Sequence, residues 1–264
     1  MKIIVLVKQV PDHEAIIQLK ADGLEIENRY VCSFFDEVAV EAALSIRKAN
    51  PECELLALAA GGKRQLDALR RAVAMGIDRV ERLGDESLDG ADSLVVAGAL
   101  AARLRAIEPD LVLCGKQAGD DDRAAVGPML AQMLGMPYIA AAVSLEVDPA
   151  AGSARIERAV EGGSWTIESG LPLLVTAEKG LAEPHVPVVT RVMKAMRAKI
   201  ENIPLSDLFA GGQPPAAGTR RLRLTPPPER PAVTMITSAF PENVAELVAR
   251  LDQAGLLPAA GGGR

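Results

Sequence analysis

Two periodicities alternate along the first two-thirds of this chain, and that alternation constrains its fold more than any other feature. Short apolar, β-branched runs at residues 3–7, 55–58, 79–83 and 111–114 are separated by longer stretches whose apolar residues recur at helical spacing. Strands that read as nearly unbroken apolar runs are buried on both faces, and parallel neighbours need a crossover long enough to hold a helix. The order therefore predicts an α/β fold, a doubly wound and mostly parallel sheet in three layers, with a C-terminal extended arm and helix. Leu66, Leu69 and Val73 mark the apolar side of one helix, which Gly76 is placed to end in a left-handed conformation. Asp92 or Ser93 can cap another that runs towards Glu108. The carboxyl ends of the strands then share one edge, where open α/β sheets bind ligands.

Past residue 150 the pattern changes. Residues 155–160, a turn at Gly162 and Gly163, and residues 165–167 read as a hairpin ahead of another buried strand at 173–177. From Leu208 large apolar residues become scarce, and Gly211, Gly212, Pro214, Pro215 and Pro226 to Pro228 favour an extended linker. Beyond it Val244, Leu247, Val248 and Leu251 fall at i, i+3, i+4 and i+7 behind Pro241, giving a short amphipathic helix on a tether. Gly261 to Gly263 are expected to fray. The expected division is residues 1–205 as the α/β domain, carrying the hairpin and a partner-recognition segment, and 206–264 as linker and arm.

A formal net charge of −6 leaves no face of clustered Lys and Arg for phosphate neutralisation, so no nucleic-acid partner is expected. The longest apolar stretch, around residues 94–102, stops at Arg103 and falls short of the roughly 18 residues that cross a bilayer, so no direct membrane insertion is expected. The short apolar run behind Lys2 has no small-residue cleavage site after it, and a cytoplasmic location is expected. Cys32, Cys53 and Cys114 lack CxxC spacing and read as buried reduced thiols. With only His13 and His185 in the chain, neither a histidine metal centre nor a Ser/His/Asp relay has material. Aromatic residues make up 3% of the chain, too few to enclose a flavin without help.

One segment carries chemistry. Residues 115–129, GKQAGDDDRAAVGPM, follow a buried strand and lead into a helix. Gly115 and Gly119 suit a tight turn, and the start of the helix offers unpaired amides and a positive dipole end to a phosphate. The bland alternative is a turn whose Asp120, Asp121 and Asp122 only cap the helix. Neither GxGxxG nor GxxxxGK[ST] is present.

This loop resembles the GKQAxDxDxxQTGPMLA nucleotide loop of electron-transfer flavoprotein β (small) subunits. The resemblance extends to VKQVPD at 7–12, SFFDEVAVEAAL at 33–44, ERAVEGGSWTIES at 157–169 and LAEPHVPVVTRVMKAMRAKIE at 181–201, in the family's order over most of residues 1–205. It implies an adenine-nucleotide-binding domain in a heterodimer with an α subunit that holds most of an FAD, with AMP in the β subunit. The nucleotide would touch Leu6, Ser33, Phe34, Phe35, Asp36 and Ala60. It would also touch the loop through Gly115, Lys116, Gln117, Ala118, Gly119, Asp120, Asp121, Asp122, Arg123, Ala124, Ala125 and Val126. Ser33 stands where the family has Asn, and Ala125 and Val126 where it has Gln and Thr. His13 and Phe35 fall beside the expected position of the partner's isoalloxazine ring. Val189 stands at the apolar anchor for dehydrogenases, followed by a basic rim of Arg191, Lys194, Arg197 and Lys199.

The resemblance thus implies an electron carrier with no catalytic residue of its own and no metal. It would be served by dehydrogenases and would serve a membrane-bound quinone oxidoreductase or another acceptor, with the 206–264 arm packed on the α subunit. A related reading puts a second FAD in place of AMP in an electron-bifurcating protein. A rival of a different class is a stand-alone nucleotide-binding regulator resembling universal stress proteins, which would have a self-sufficient glycine-rich phosphate loop and no tethered helix.

Overall fold

The computed structural model describes residues 1–20, 23–209, 214–225 and 228–257. Gly211, Gly212, Pro226 and Pro227 of the expected linker, and Gly261 to Gly263, lie outside them. The described elements begin with β1 (Lys2–Leu6), β2 (Gln9–Pro11), β3 (Ile17–Lys20), β4 (Gly23–Ile26), β5 (Tyr30–Cys32) and α1 (Phe34–Ala49). Then come β6 (Glu54–Ala60), α2 (Gln65–Met75), β7 (Arg79–Leu83), α3 (Ser93–Ile107), β8 (Leu111–Gly115) and α4 (Val126–Leu134). The hairpin region holds β9 (Tyr138–Asp148), β10 (Ser153–Val160), β11 (Gly163–Gly170) and β12 (Leu173–Ala177). Last are α5 (Val189–Ala195), β13 (Glu201–Ile203), α6 (Leu205–Leu208) and α7 (Glu242–Gln253).

The main sheet runs β11-β10-β9-β12-β8-β1-β6-β7-β13. From β9 to β13 every pairing is parallel, and β10 and β11 add an antiparallel hairpin at one edge. Strand residues alternate between two cores, as the pleat requires. Ile3, Val5, Leu111 and Leu113 pack with Val38, Ala39 and Leu69 from α1 and α2. Ile4, Leu6, Val112 and Cys114 pack with Leu100, Leu104 and Leu130 from α3 and α4. This is the predicted three-layer α/β fold. Cys32, Cys53 and Cys114 are buried free thiols, and burial pushes the Cys114 thiol far above its ordinary range.

The local signals explain the element ends. Gly76 closes α2 at φ 132°, and its amide reaches the carbonyls of Ala72 and Val73. The Asp92 side chain caps α3 by accepting from Leu94 N–H at 2.8 Å. Arg103, which ends the long apolar stretch, pairs at 2.8 Å with Glu81, whose side chain is 2% exposed. Among the described residues no helix is long and apolar enough to cross a membrane.

The chain forms two compact units, Met1–Leu224 and Thr225–Arg264. Residues 214–224, just past the expected domain end, count with the first. In the second unit the only described helix is α7, which buries none of its residues: Val244, Leu247 and Val248 are each about half exposed.

Candidate functional site

β1, β6 and β8 are adjacent and parallel, and they end at Leu6, Ala60 and Gly115. From β1 the chain passes first to β6 on one side and later to β8 on the other, so β1 and β8 flank the point where the winding reverses. Helices on opposite faces diverge there and leave a crevice. A cavity of about 630 Å³ occupies it, within the usual size of small-molecule sites. Leu58, Leu88, Val96 and Leu100 give it apolar wall, and Lys8, Asp36, Asp89, Lys116, Gln117, Asp120, Asp121 and Arg123 give it polar wall.

Asp36 frames the crevice. From the first turn of α1 its carboxylate accepts from Gly115 N–H at 2.8 Å and from Lys8 N–H at 2.9 Å, joining the ends of β8 and β1. Burial raises its pKa from 3.8 to about 7 against the opposing pull of those two amides. Gly115 is required by space. A Cβ there would lie 2.6 Å from Asp36 Oδ1 and 3.0 Å from the Phe35 carbonyl carbon.

The loop after Gly115 departs from the sequence expectation in two ways. Gly119 lies in open space with an ordinary backbone, and the left-handed conformations fall on Asp122 (φ 48°) and Ala124 (φ 50°). A short polar side chain tolerates that region and alanine does so at a cost of about 1–2 kcal/mol. The helix does not follow Asp122 directly: α4 begins at Val126, with no side-chain cap. The three aspartates therefore do other work. Asp120 and Asp121 meet Lys8 Nζ at 2.7 and 3.5 Å, and Asp122 accepts from Gln117 Nε2 at 2.9 Å. Pro128 has no N–H and Met129 N–H turns back to the Ala125 carbonyl. The orphan donors of the first turn are thus the amides of Val126 and Gly127, both on the cavity wall. Such amides at a helix start suit a phosphate.

Of the expected nucleotide residues, Leu6, Asp36, Ala60, Gly115, Lys116, Gln117, Ala118, Gly119, Asp120, Asp121, Arg123, Ala124, Ala125 and Val126 line the cavity. Ser33, Phe34, Phe35 and Asp122 do not. Ser33 is buried at the start of α1 with its Oγ unpartnered, and Phe34 packs edge-on against Phe35 at 5.4 Å. The Phe35 ring lies 4.9 Å from Lys116 Nζ, which pairs with Glu178. His13 sits at the cavity with its side chain 91% exposed.

Sequence reasoning missed Lys8, Tyr30, Arg64, Gln65, Asp89, Ser93 and Arg221 on the wall. Lys8, Gln65 and Ser93 stand just beyond strand ends or at helix starts, so the edge rule could have found them. Nothing in the sequence points to Arg221.

In the expected docking segment Val189 is the first residue of α5 and is 77% exposed. Val186, Val188, Val192, Met193 and Met196 are exposed around it. Arg191, Lys194 and Arg197 are all exposed, and Arg191 Nη1 also donates to the Met75 carbonyl at 3.3 Å. One Arg191 donor thus also ties α5 to the end of α2.

The family model described as electron transfer flavoprotein domain matches residues 25–208. This chain belongs to the electron transfer flavoprotein β-subunit family. It is similar to the electron transfer flavoprotein subunit beta of Megasphaera elsdenii, 35% identical over 212 residues that cover 77% of this chain and 78% of that one. It is 32% identical to the mitochondrial electron transfer flavoprotein subunit beta of Arabidopsis thaliana, over 90% of this chain and 94% of the relative. The corresponding subunit of Bradyrhizobium diazoefficiens is 32% identical over 97% of this chain and its own whole length. The electron transfer flavoprotein match spans most of the main sheet and the 115–126 loop.

Proposed function

We propose that this chain is the β subunit of a heterodimeric electron-transfer flavoprotein. In this reading it holds AMP in the cavity at the ends of β1, β6 and β8 and helps position an FAD carried mainly by the α subunit. Electrons come from dehydrogenases and leave to a membrane-bound quinone oxidoreductase or another acceptor, in the cytoplasm. The supporting observation is the cavity itself: an apolar wall suited to a base, with the orphan amides of Val126 and Gly127 available to a phosphate. The flavin fits outside this chain's core, since His13 is almost fully exposed and can face a ring held elsewhere. The flavin supplies the redox chemistry when bound, while this chain's residues shape access to it and its polarity. The exposed apolar side of α7 supports an arm that packs on the α subunit.

A second reading, FAD in place of AMP, has one observation in its favour. Ala125 and Val126 line the cavity without side-chain hydrogen-bonding groups, so no polar side chain from these two positions closes over a terminal phosphate. Acid release of nucleotides from the purified heterodimer, followed by chromatography, decides between them. One FAD and one AMP per dimer supports the first reading, and two FAD without AMP supports the second. A colourless homodimer that binds ATP overturns both in favour of a regulator.

A further inference from the structure

Residues 214–224 have no regular secondary structure, yet they are fastened to the first unit at two places. They cross α3 at its single glycine: a Cβ on Gly98 would come within 2.4 Å of Pro215 Cδ. Farther on, Thr219 N–H donates to Asp92 Oδ2 at 3.0 Å, and the Thr219 hydroxyl donates to the same oxygen. The other oxygen, Oδ1, caps α3 through Leu94 N–H. These donors, the Thr219 hydroxyl first, hold the Asp92 carboxyl below its ordinary range. Two residues past this anchor, Arg221 reaches the cavity wall.

The other cations of that wall are already committed. Lys8 pairs with Asp120 and Asp121, Lys116 with Glu178, and Arg123 with Asp121. Arg64 lies over the Tyr30 ring at 4.1 Å. Among the described residues Arg221 has neither a carboxylate nor an aromatic ring as partner. A guanidinium binds phosphate through a planar fork of donors, and its bonds to anions are about twice as strong as neutral ones. We propose that residues 214–224 are a strap belonging to the nucleotide site, anchored by Thr219 on Asp92, and that Arg221 binds the phosphate of the nucleotide. This rests on the reading of the cavity as an adenine-nucleotide site.

The test uses the full chain in complex with its α subunit, stripped of bound nucleotide, and compares AMP with adenosine, which lacks the phosphate. Arg221→Ala should weaken AMP about tenfold or more while leaving adenosine within about twofold of wild type. Arg221→Lys, which keeps the charge, should recover part of the loss. Thr219→Val, which removes one of the two bonds to Asp92 and spares the cap, should speed AMP release. If Arg221→Ala binds AMP as the wild type does, and both still prefer AMP to adenosine, the inference is overturned and the site stands. If the wild type binds AMP no better than adenosine, the reading of the cavity fails, and this inference fails with it.

Discussion

The carboxylate of Asp36 accepts the Gly115 amide proton at 2.8 Å, tying the first turn of α1 to the end of β8. The same carboxylate takes the Lys8 amide at the end of β1. One buried side chain thus sets the separation of the two strand ends that open the cavity.

Asp36→Asn should cost about 1–3 kcal/mol, because an amide group can accept from only one of the two N–H donors and leaves the other unpaired. The variant also carries a pH signature. Burial raises the folded carboxyl's pKa to about 7 from the ordinary 3.8, so between those values the folded chain holds a proton that the unfolded chain has released. The contribution of this group to stability is therefore full below 3.8 and lost as pH rises through about 7. Urea unfolding at about pH 5 and about pH 8 should show wild type losing stability relative to Asp36→Asn across that interval. A constant difference between the two proteins would rule this out.

Two glycines of the same loop should behave oppositely. Gly115→Ala drives a Cβ into the Asp36 carboxylate and the Phe35 backbone, which cannot yield cheaply, and should cost about 1–3 kcal/mol. Gly119→Ala enters open space and should stay within about 0.5 kcal/mol of wild type. Thermal melting of both variants checks the pair, and equal losses would contradict the loop geometry described above.

Val189→Asp should leave stability unchanged within about 0.5 kcal/mol, because the side chain is 77% exposed. Docking to a dehydrogenase would bury the new charge and should cost about 2 kcal/mol or more in partner affinity. Flavin content should not change. Electron-transfer rates equal to wild type with the cognate dehydrogenase would remove this residue from the interface.

Truncation after Leu224 removes α7 but keeps the strap on α3. The first unit should remain folded by circular dichroism, while gel filtration with the α subunit should show no heterodimer. A complex that survives the truncation would show that α7 is not the link.

The parallel strands were legible because burial on both faces leaves unbroken apolar runs, as at residues 111–114, and because Asp92 and Gly76 mark helix ends. β9 was not legible: Ala140, Ala141 and Ala142 dilute the β signal of Tyr138 and Ile139, and pairing with β12 and β10 makes it a strand. β13 is three residues long and owes its form to the β7 edge. At the site, the loop from Gly115 to Val126 could be read because its chemistry is contiguous. Arg221 could not, since it reaches the cavity through two anchors on α3 that lie more than a hundred residues earlier in the chain.

The position of β1 has a consequence for how the protein is made. This strand leaves the ribosome before both of its neighbours, lies between β6 and β8, and is flanked on both edges only once Leu111–Gly115 have emerged. At roughly 5–20 residues per second, several seconds of synthesis pass with an apolar strand edge unpaired. An unpaired apolar edge is a template for pairing with another chain, so fast overproduction should divert part of the protein to inclusion bodies before the central ladder can close.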